Sequence, residues 1–183
     1  MKLTVEQRKQ DKKSDVKAIR RAGNIPAVIY APGKTGKELT VNGAEFGAVL
    51  RNMKPGHLAT TTFTLSDGTK AIIKEVQYNP TSYKVNHIDF EELNAQTPVV
   101  VKVPVVCTGV GECAGIKLGG FLREVMRFVE VECLPKAIPT AFSVDVRELA
   151  VGEVKRVGDI QLPNGVRALP SAQEVVVVIG KRA

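Results

Sequence analysis

Turn signals interrupt this chain so often that long helices have no room to form, and this limits its fold more than any other feature. Thr60–Leu65 and Lys70–Ile73 are β-rich runs joined by Ser66-Asp67-Gly68-Thr69, where Asp-Gly supplies a tight hairpin turn. Val76-Gln77-Tyr78 extends the second run until Asn79-Pro80 breaks it, and Val85–Phe90 alternates as a further strand. Upstream, Ile25–Tyr30 reads as a strand with Pro26 near its start, where a missing N–H is tolerated. Lys37–Val41 is a short alternating strand. Only two patches have helical character. Residues 13–22 predict a short helix with Ser14 as N-cap, Ala18 and Ile19 as apolar anchors, and Gly23 at the left-handed C-cap. Gly43–Arg51 places Phe46, Val49 and Leu50 at helical spacing.

The second half is more strongly β. Val99–Val106 contains Pro104, which predicts an edge or a bulge. Thr108–Gly120 holds five glycines and reads as a loop of tight turns. Phe121–Leu134 predicts a strand pair or one bent strand, with a helix over Phe121–Glu130 as the alternative. Phe142–Val146, Glu153–Val157 and Glu174–Ile179 supply further strands. Tryptophan is absent, so the core must come from Val, Ile, Leu and Ala. Residues 91–98 show no apolar periodicity and read as a linker. The expected organisation is therefore mainly β: residues 1–93 as a small barrel or curled sheet with short helices, and residues 95–183 as a second, mostly β domain.

Positive charge is concentrated at the start. Lys2, Arg8, Lys9, Lys12, Lys13, Lys17, Arg20 and Arg21 face only Glu6, Asp11 and Asp15, so +5 of the whole-chain +7 lies in the first 21 residues. Focused charge of this kind favours a polyanion, because neutralised phosphates release condensed counterions. The strand that follows ends in Tyr30, which offers a π-face or hydroxyl to an exposed base or sugar. No apolar run approaches the roughly 20 residues needed to span a membrane. The charged start, with no apolar stretch after it, does not read as a secretory signal. A cytoplasmic protein with three reduced thiols, Cys107, Cys113 and Cys133, is expected.

His87-Ile88-Asp89 is the most pointed polar constellation. Residues i and i+2 of a strand share a face, so imidazole and carboxylate project together. Such a pair can read base edges or a 2′-hydroxyl, serve a hydrolase, or be a plain surface contact. No nucleophile or third partner accompanies it, so no catalytic residue is expected. Cys107 and Cys113 are too far apart for the usual zinc spacing, and Cys133 is isolated; no metal site is expected. Gly109–Gly120 is neither a Walker-type phosphate loop nor G-x-G-x-x-G. No cofactor and no small-molecule substrate are implied.

Arg20-Arg21-Ala22-Gly23-x-Ile25-Pro26-Ala27-Val28-Ile29-Tyr30 and His87-Ile88-Asp89-Phe90 resemble the large-subunit ribosomal protein twenty-five family, relatives of the general stress protein Ctc. Gly115–Gly120, Leu134–Pro139, Val144-Asp145-Val146 and Leu162–Val166 resemble the second domain of its long members. The resemblance implies a non-enzymatic binder of 5S ribosomal RNA, with an N-terminal β-barrel on an internal loop of that RNA. It implies that the second domain meets neighbouring ribosomal RNA or protein. The family's RNA-contacting positions fall here on Arg8, Arg20, Tyr30, His87 and Asp89. Lys9, Lys12, Lys13, Lys17 and Arg21 would give electrostatic support. A stress-induced RNA- or protein-binding factor acting off the ribosome is the alternative. Ala31 stands where many relatives have Gly, and Ala114 where Pro is common.

Overall fold

In the computed structural model, which describes residues 1–8, 13–31, 33 and 35–181, a single short stretch near the start ties together both edges of the first sheet. β1 (Lys2–Leu3) lies parallel to β5 (Thr62–Leu65), with Leu3 opposite Leu65. After Thr4 alone, β2 (Val5–Gln7) runs antiparallel to β4 (Lys37–Val41), with Val5 opposite Val41. Between these edges lie β6 (Lys70–Tyr78), β7 (Val85–Glu92) and β3 (Ile25–Tyr30), giving the order β1-β5-β6-β7-β3-β4-β2. The sheet thus curls into a nearly closed barrel. Closure satisfies edge N–H and C=O groups that an open sheet would leave bare. The Ser66 hydroxyl accepts from the Val5 N–H at 3.2 Å and donates to the Val5 carbonyl at 2.7 Å. Sequence reading saw only a basic segment here, because two- and three-residue strands are too short for alternation to show.

Period-two alternation sorts each strand. Ile25, Ala27 and Ile29 of β3 point into the barrel, while Val28 and Tyr30 are half-buried on the outer face. In β7, Ile88 and Phe90 are wholly buried and His87 and Asp89 face outward. Phe46 and Phe63 are wholly buried with Phe90, so the core is not built from Val, Ile, Leu and Ala alone as expected, and Leu39 completes it.

The two predicted helices form. α1 (Lys13–Arg21) begins one residue before the expected cap; Ser14 lies inside it and donates to the Asp15 carboxylate at 3.1 Å. Ala18 is exposed, and Val16 and Ile19 are the half-buried positions. The C-terminus is a Schellman motif: Gly23 N–H bonds the Arg20 carbonyl and Asn24 N–H the Ile19 carbonyl, with Gly23 at φ +84°. α2 (Gly43–Asn52) is capped by Asn42, whose side-chain oxygen accepts from Ala44 and Glu45 N–H at 2.9 and 3.2 Å. Its first residue, Gly43, sits so close to the Gly23 carbonyl that a Cβ there would overlap it.

The chain divides into two compact units, Met1–Thr97 and Pro98–Ala183. In the second, β8 (Val99–Thr108) pairs antiparallel with β10 (Phe128–Cys133) and parallel with β11 (Phe142–Asp145), and β13 (Val166–Ala168) adds to β10. A three-stranded sheet is built from β9 (Gly120–Glu124), β14 (Val175–Lys181) and β12 (Val154–Arg156). Phe121–Leu134 is therefore two strands in different sheets, not a helix. Pro104 is on a central strand, not an edge. It stands just before the ladder to β11 begins at Val105, so its missing N–H interrupts no bond of that ladder. The glycine-rich loop does contain helical turns: a 3-10 turn at Val110–Glu112 and the four-residue α3 (Ala114–Lys117). Glycine permits them by close approach, since a Cβ on Gly115 would collide with the Leu149 carbonyl and Ile179.

Gly43→Ala is expected to destabilise the first unit by about 2 kcal/mol or more, because backbone meets backbone and no side chain can yield. Urea denaturation checks it; an unchanged midpoint would mean the two helix ends are not rigidly apposed.

A candidate nucleic-acid interface on the barrel wall

Neighbouring strands β3, β7 and β6 bring the outward-facing side chains together. Across the parallel ladder, Val28 stands opposite Asp89 and Tyr30 opposite Glu91. On the other side, a register shift between Ile73 and Glu75 sets Glu75 opposite Asp89 and Gln77 opposite His87. A bulge of this kind re-aims every later side chain on its strand. His87 Nδ1 lies 2.6 Å from Asp89 Oδ1, so the expected i, i+2 pair is in contact. With Nδ1–H given to Asp89, the ring presents Nε2, an acceptor when neutral and a donor when protonated. Lys74 Nζ donates to Glu91 Oε2 at 3.1 Å, which neutralises a carboxylate that is otherwise buried. Burial first, then the charges of Glu91, Asp89 and Glu75, push the Tyr30 hydroxyl above its usual pKa. Tyr30 is thus a neutral phenol at physiological pH, able to donate as well as accept.

Arg20 joins the helix to this face. Its Nε and Nη2 both donate to the Asn86 carbonyl, at 3.1 and 3.0 Å, one residue before His87. The fork uses two of the five guanidinium donors and leaves its exposed charge toward solvent. Lys17 and Arg21 are exposed on the same helix.

Arg8 is placed differently. It follows β2 at the far side of β4, with its N–H on the Glu38 carbonyl at 3.1 Å. Its Nη1 lies 3.3 Å from Glu38 Oε2, and its side chain is only 13% exposed. Among the described residues, Arg8 Nε and Glu38 Oε2 make no hydrogen bond, so the pair is held by charge and packing. Lys9 and Lys12 lie outside the described residues, and so does the side chain of Lys13, whose backbone opens α1. The fold therefore gathers Tyr30, His87, Asp89 and Arg20, and Arg8 meets the same outer face two strands along, since its partner Glu38 stands opposite Val28 and Val28 stands opposite Asp89. Glu75, Gln77, Lys74 and Glu91 belong to the same wall and escaped sequence reading, because a bulge decides which of them face outward.

Among the described residues, no group of three or more His, Cys, Asp or Glu side chains is arranged to hold a metal ion. The thiols are packing groups. Burial, then the charge and hydrogen bond of Glu124, push Cys107 up to about 11. Burial raises Cys133, and the buried Cys113 gives its S–H to the Leu149 carbonyl at 3.5 Å. Among the described residues, no helix is long and apolar enough to cross a membrane.

A curled β-barrel with one basic helix end beside a polar strand face, followed by a second β unit, defines a two-domain, mainly β protein. Comparison with known proteins makes this specific. Residues 3–90 match the Ribosomal L25p family and residues 98–183 match the family described as ribosomal protein TL5, C-terminal domain. The chain is 42% identical over 185 residues to the large ribosomal subunit protein bL25 of Chlamydia caviae and to that of Chlamydia abortus, each covering 100% of both chains. The bL25 of Chlamydia trachomatis serovar L2 is also 42% identical over the full length. The chain belongs to the bL25 family of large-ribosomal-subunit proteins, a structural family and not one of enzymes.

Two measurements check these electrostatics. Alkaline titration should show Tyr30 ionising above the ordinary value near 10. Asp89→Asn should bring it part of the way down, since burial remains the larger cause; no movement would deny that Asp89 acts on the phenol. With a pKa of about 11, Cys107 should react with iodoacetamide at pH 8 about a hundredfold more slowly than free cysteine. Reaction at the free rate would place the thiol in open solvent.

Proposed function

We propose that this chain binds 5S ribosomal RNA at an internal loop through its first unit, as a structural component of the large ribosomal subunit. The observation that carries this reading is the shared face of Tyr30 and the His87–Asp89 pair, anchored to the basic end of α1 through Arg20 and the Asn86 carbonyl. The two parts divide the work. Arg20, with Lys17, Arg21 and, in sequence, lysines 9, 12 and 13, supplies charge for phosphates. The strand face supplies directional groups for a widened minor groove, where 2′-hydroxyls and base edges are displayed.

Asp89 makes the face selective. A carboxylate against RNA is repelled by phosphate, so it must accept from a base amine or a 2′-hydroxyl, or face a bound cation. Wherever those donors are missing, its charge works against binding. Arg8, paired with Glu38 beside Val28 on the same outer face, adds a phosphate contact at the edge of the wall. The second unit, in this reading, meets neighbouring ribosomal RNA or protein, and the complex resides on the cytoplasmic ribosome.

The test is binding of the full chain to a 5S internal-loop fragment and to a scrambled duplex across a salt series. Asp89→Ala should weaken the specific complex by roughly 1–3 kcal/mol, about five- to a hundredfold, and leave scrambled binding nearly unchanged. Lys17→Ala should lower both affinities alike and reduce the salt slope by about one. Equal losses on both RNAs for Asp89→Ala would remove the strand face from recognition.

A further inference from the structure

We infer that the groove on the other side of Arg20 is a second RNA contact, which takes an unpaired nucleotide with its base against Tyr83. The inference rests on the RNA-binding reading only in sharing Arg20 and Arg21. The groove, of about 580 Å³, lies between the C-terminal end of α1, α2 and the turn joining β6 to β7. That volume is ample for one nucleotide. Its floor includes the apolar Phe46 and Leu50, and its rim carries Arg20, Arg21 and Lys84. Among the described residues no carboxylate lines it, in contrast to the strand face with Glu75, Asp89 and Glu91. Three cations over an apolar floor are complementary to a phosphate with a base attached.

Tyr83 is the second observation. Its ring is 81% exposed, which is unusual for an aromatic. It is also the one non-glycine at positive φ among the described residues, at +54°. Side chains rarely adopt that conformation unless the surroundings impose it. Here they do. Tyr83 N–H bonds the Asn79 carbonyl, and Asn79 N–H bonds the Lys84 carbonyl, both at 2.8 Å. The Asn79 side-chain oxygen accepts from Thr81 and Ser82 N–H at 2.9 and 3.1 Å. The turn therefore fixes the backbone from which the exposed Tyr83 side chain projects, next to Lys84 in a groove that the two arginines also line. An exposed aromatic flanked by cations is the arrangement that binds single-stranded nucleic acid, by stacking that is indifferent to base identity.

The experiment uses the full chain with two probes: a short single-stranded RNA carrying a fluorescent purine, and the blunt 5S internal-loop fragment. Tyr83→Asn removes the ring and keeps a residue that tolerates the left-handed backbone. It should weaken the single strand about tenfold and abolish stacking-dependent quenching, while Tyr83→Phe retains both. Binding of the blunt fragment should be unchanged by Tyr83→Asn. Lys84→Ala should reduce the salt slope for the single strand. Unaltered single-strand affinity and quenching in Tyr83→Asn would overturn the inference. So would displacement of the single strand by an acidic peptide at lower concentration, which would assign the groove to a protein. Failure of the wild-type chain to prefer the internal loop, with the single-strand results as expected, would overturn the 5S reading and leave the groove standing.

Discussion

Everything on the barrel wall depends on one short extended stretch that pairs at both ends of the sheet. Lys2–Leu3 holds one edge and Val5–Gln7 the other. Ser66 fastens Val5 from both its N–H and its carbonyl. Without that closure the sheet would present two bare edges and lose the inward packing of Leu3 and Val5. With it, β3 and β7 sit side by side at the centre of a curved wall, and their outer residues have fixed spacing. Arg8, at the end of β2, is bonded to β4 through its backbone and drawn to Glu38.

The wall carries charge of both signs, and its logic is directional. Arg20 binds a backbone carbonyl beside His87, so the helix end and the strand face move as one body. Burial, and then the carboxylates of Glu91, Asp89 and Glu75, raise the Tyr30 pKa and keep it a phenol. A purely basic face would bind any polyanion, with affinity falling steeply in salt. A face with carboxylates in fixed places rejects RNA that cannot offer donors to them, and this is how charge becomes specificity. The groove beyond Arg20 has the opposite composition, with cations and, among the described residues, no acids, and suits a flexible strand.

Much of this could be read from the residues. Asp67-Gly68 announced the β5–β6 hairpin, Asn79-Pro80 the end of β6, and Gly23 the end of α1, because each is a local backbone preference. The contact of His87 with Asp89 followed from period-two geometry. Other features stayed hidden for equally physical reasons. β1 and β2 are too short to alternate, and their partners are distant in sequence. Ser14 looked like a cap, yet the helix starts earlier. Glycines 109–120 read as a loop, since a four-residue helix has no period to detect. The facing of Glu75 and Gln77 toward Asp89 and His87 hangs on a bulge, and a one-residue shift inverts a strand's faces.

The sequence by itself determined the local elements, the placement of positive charge and the pairing of His87 with Asp89, since these depend on neighbours within a few residues. The family resemblance, too, was carried by short ordered motifs. Only the tertiary structure decided that the sheet closes on itself, that Arg20 reaches Asn86 and Arg8 is drawn to Glu38, and that Tyr83 stands out above a cationic groove. Those outcomes depend on pairings between residues tens of positions apart. Their register is settled by the burial of Leu3, Ile88, Phe90 and Phe46 together, which no single segment encodes.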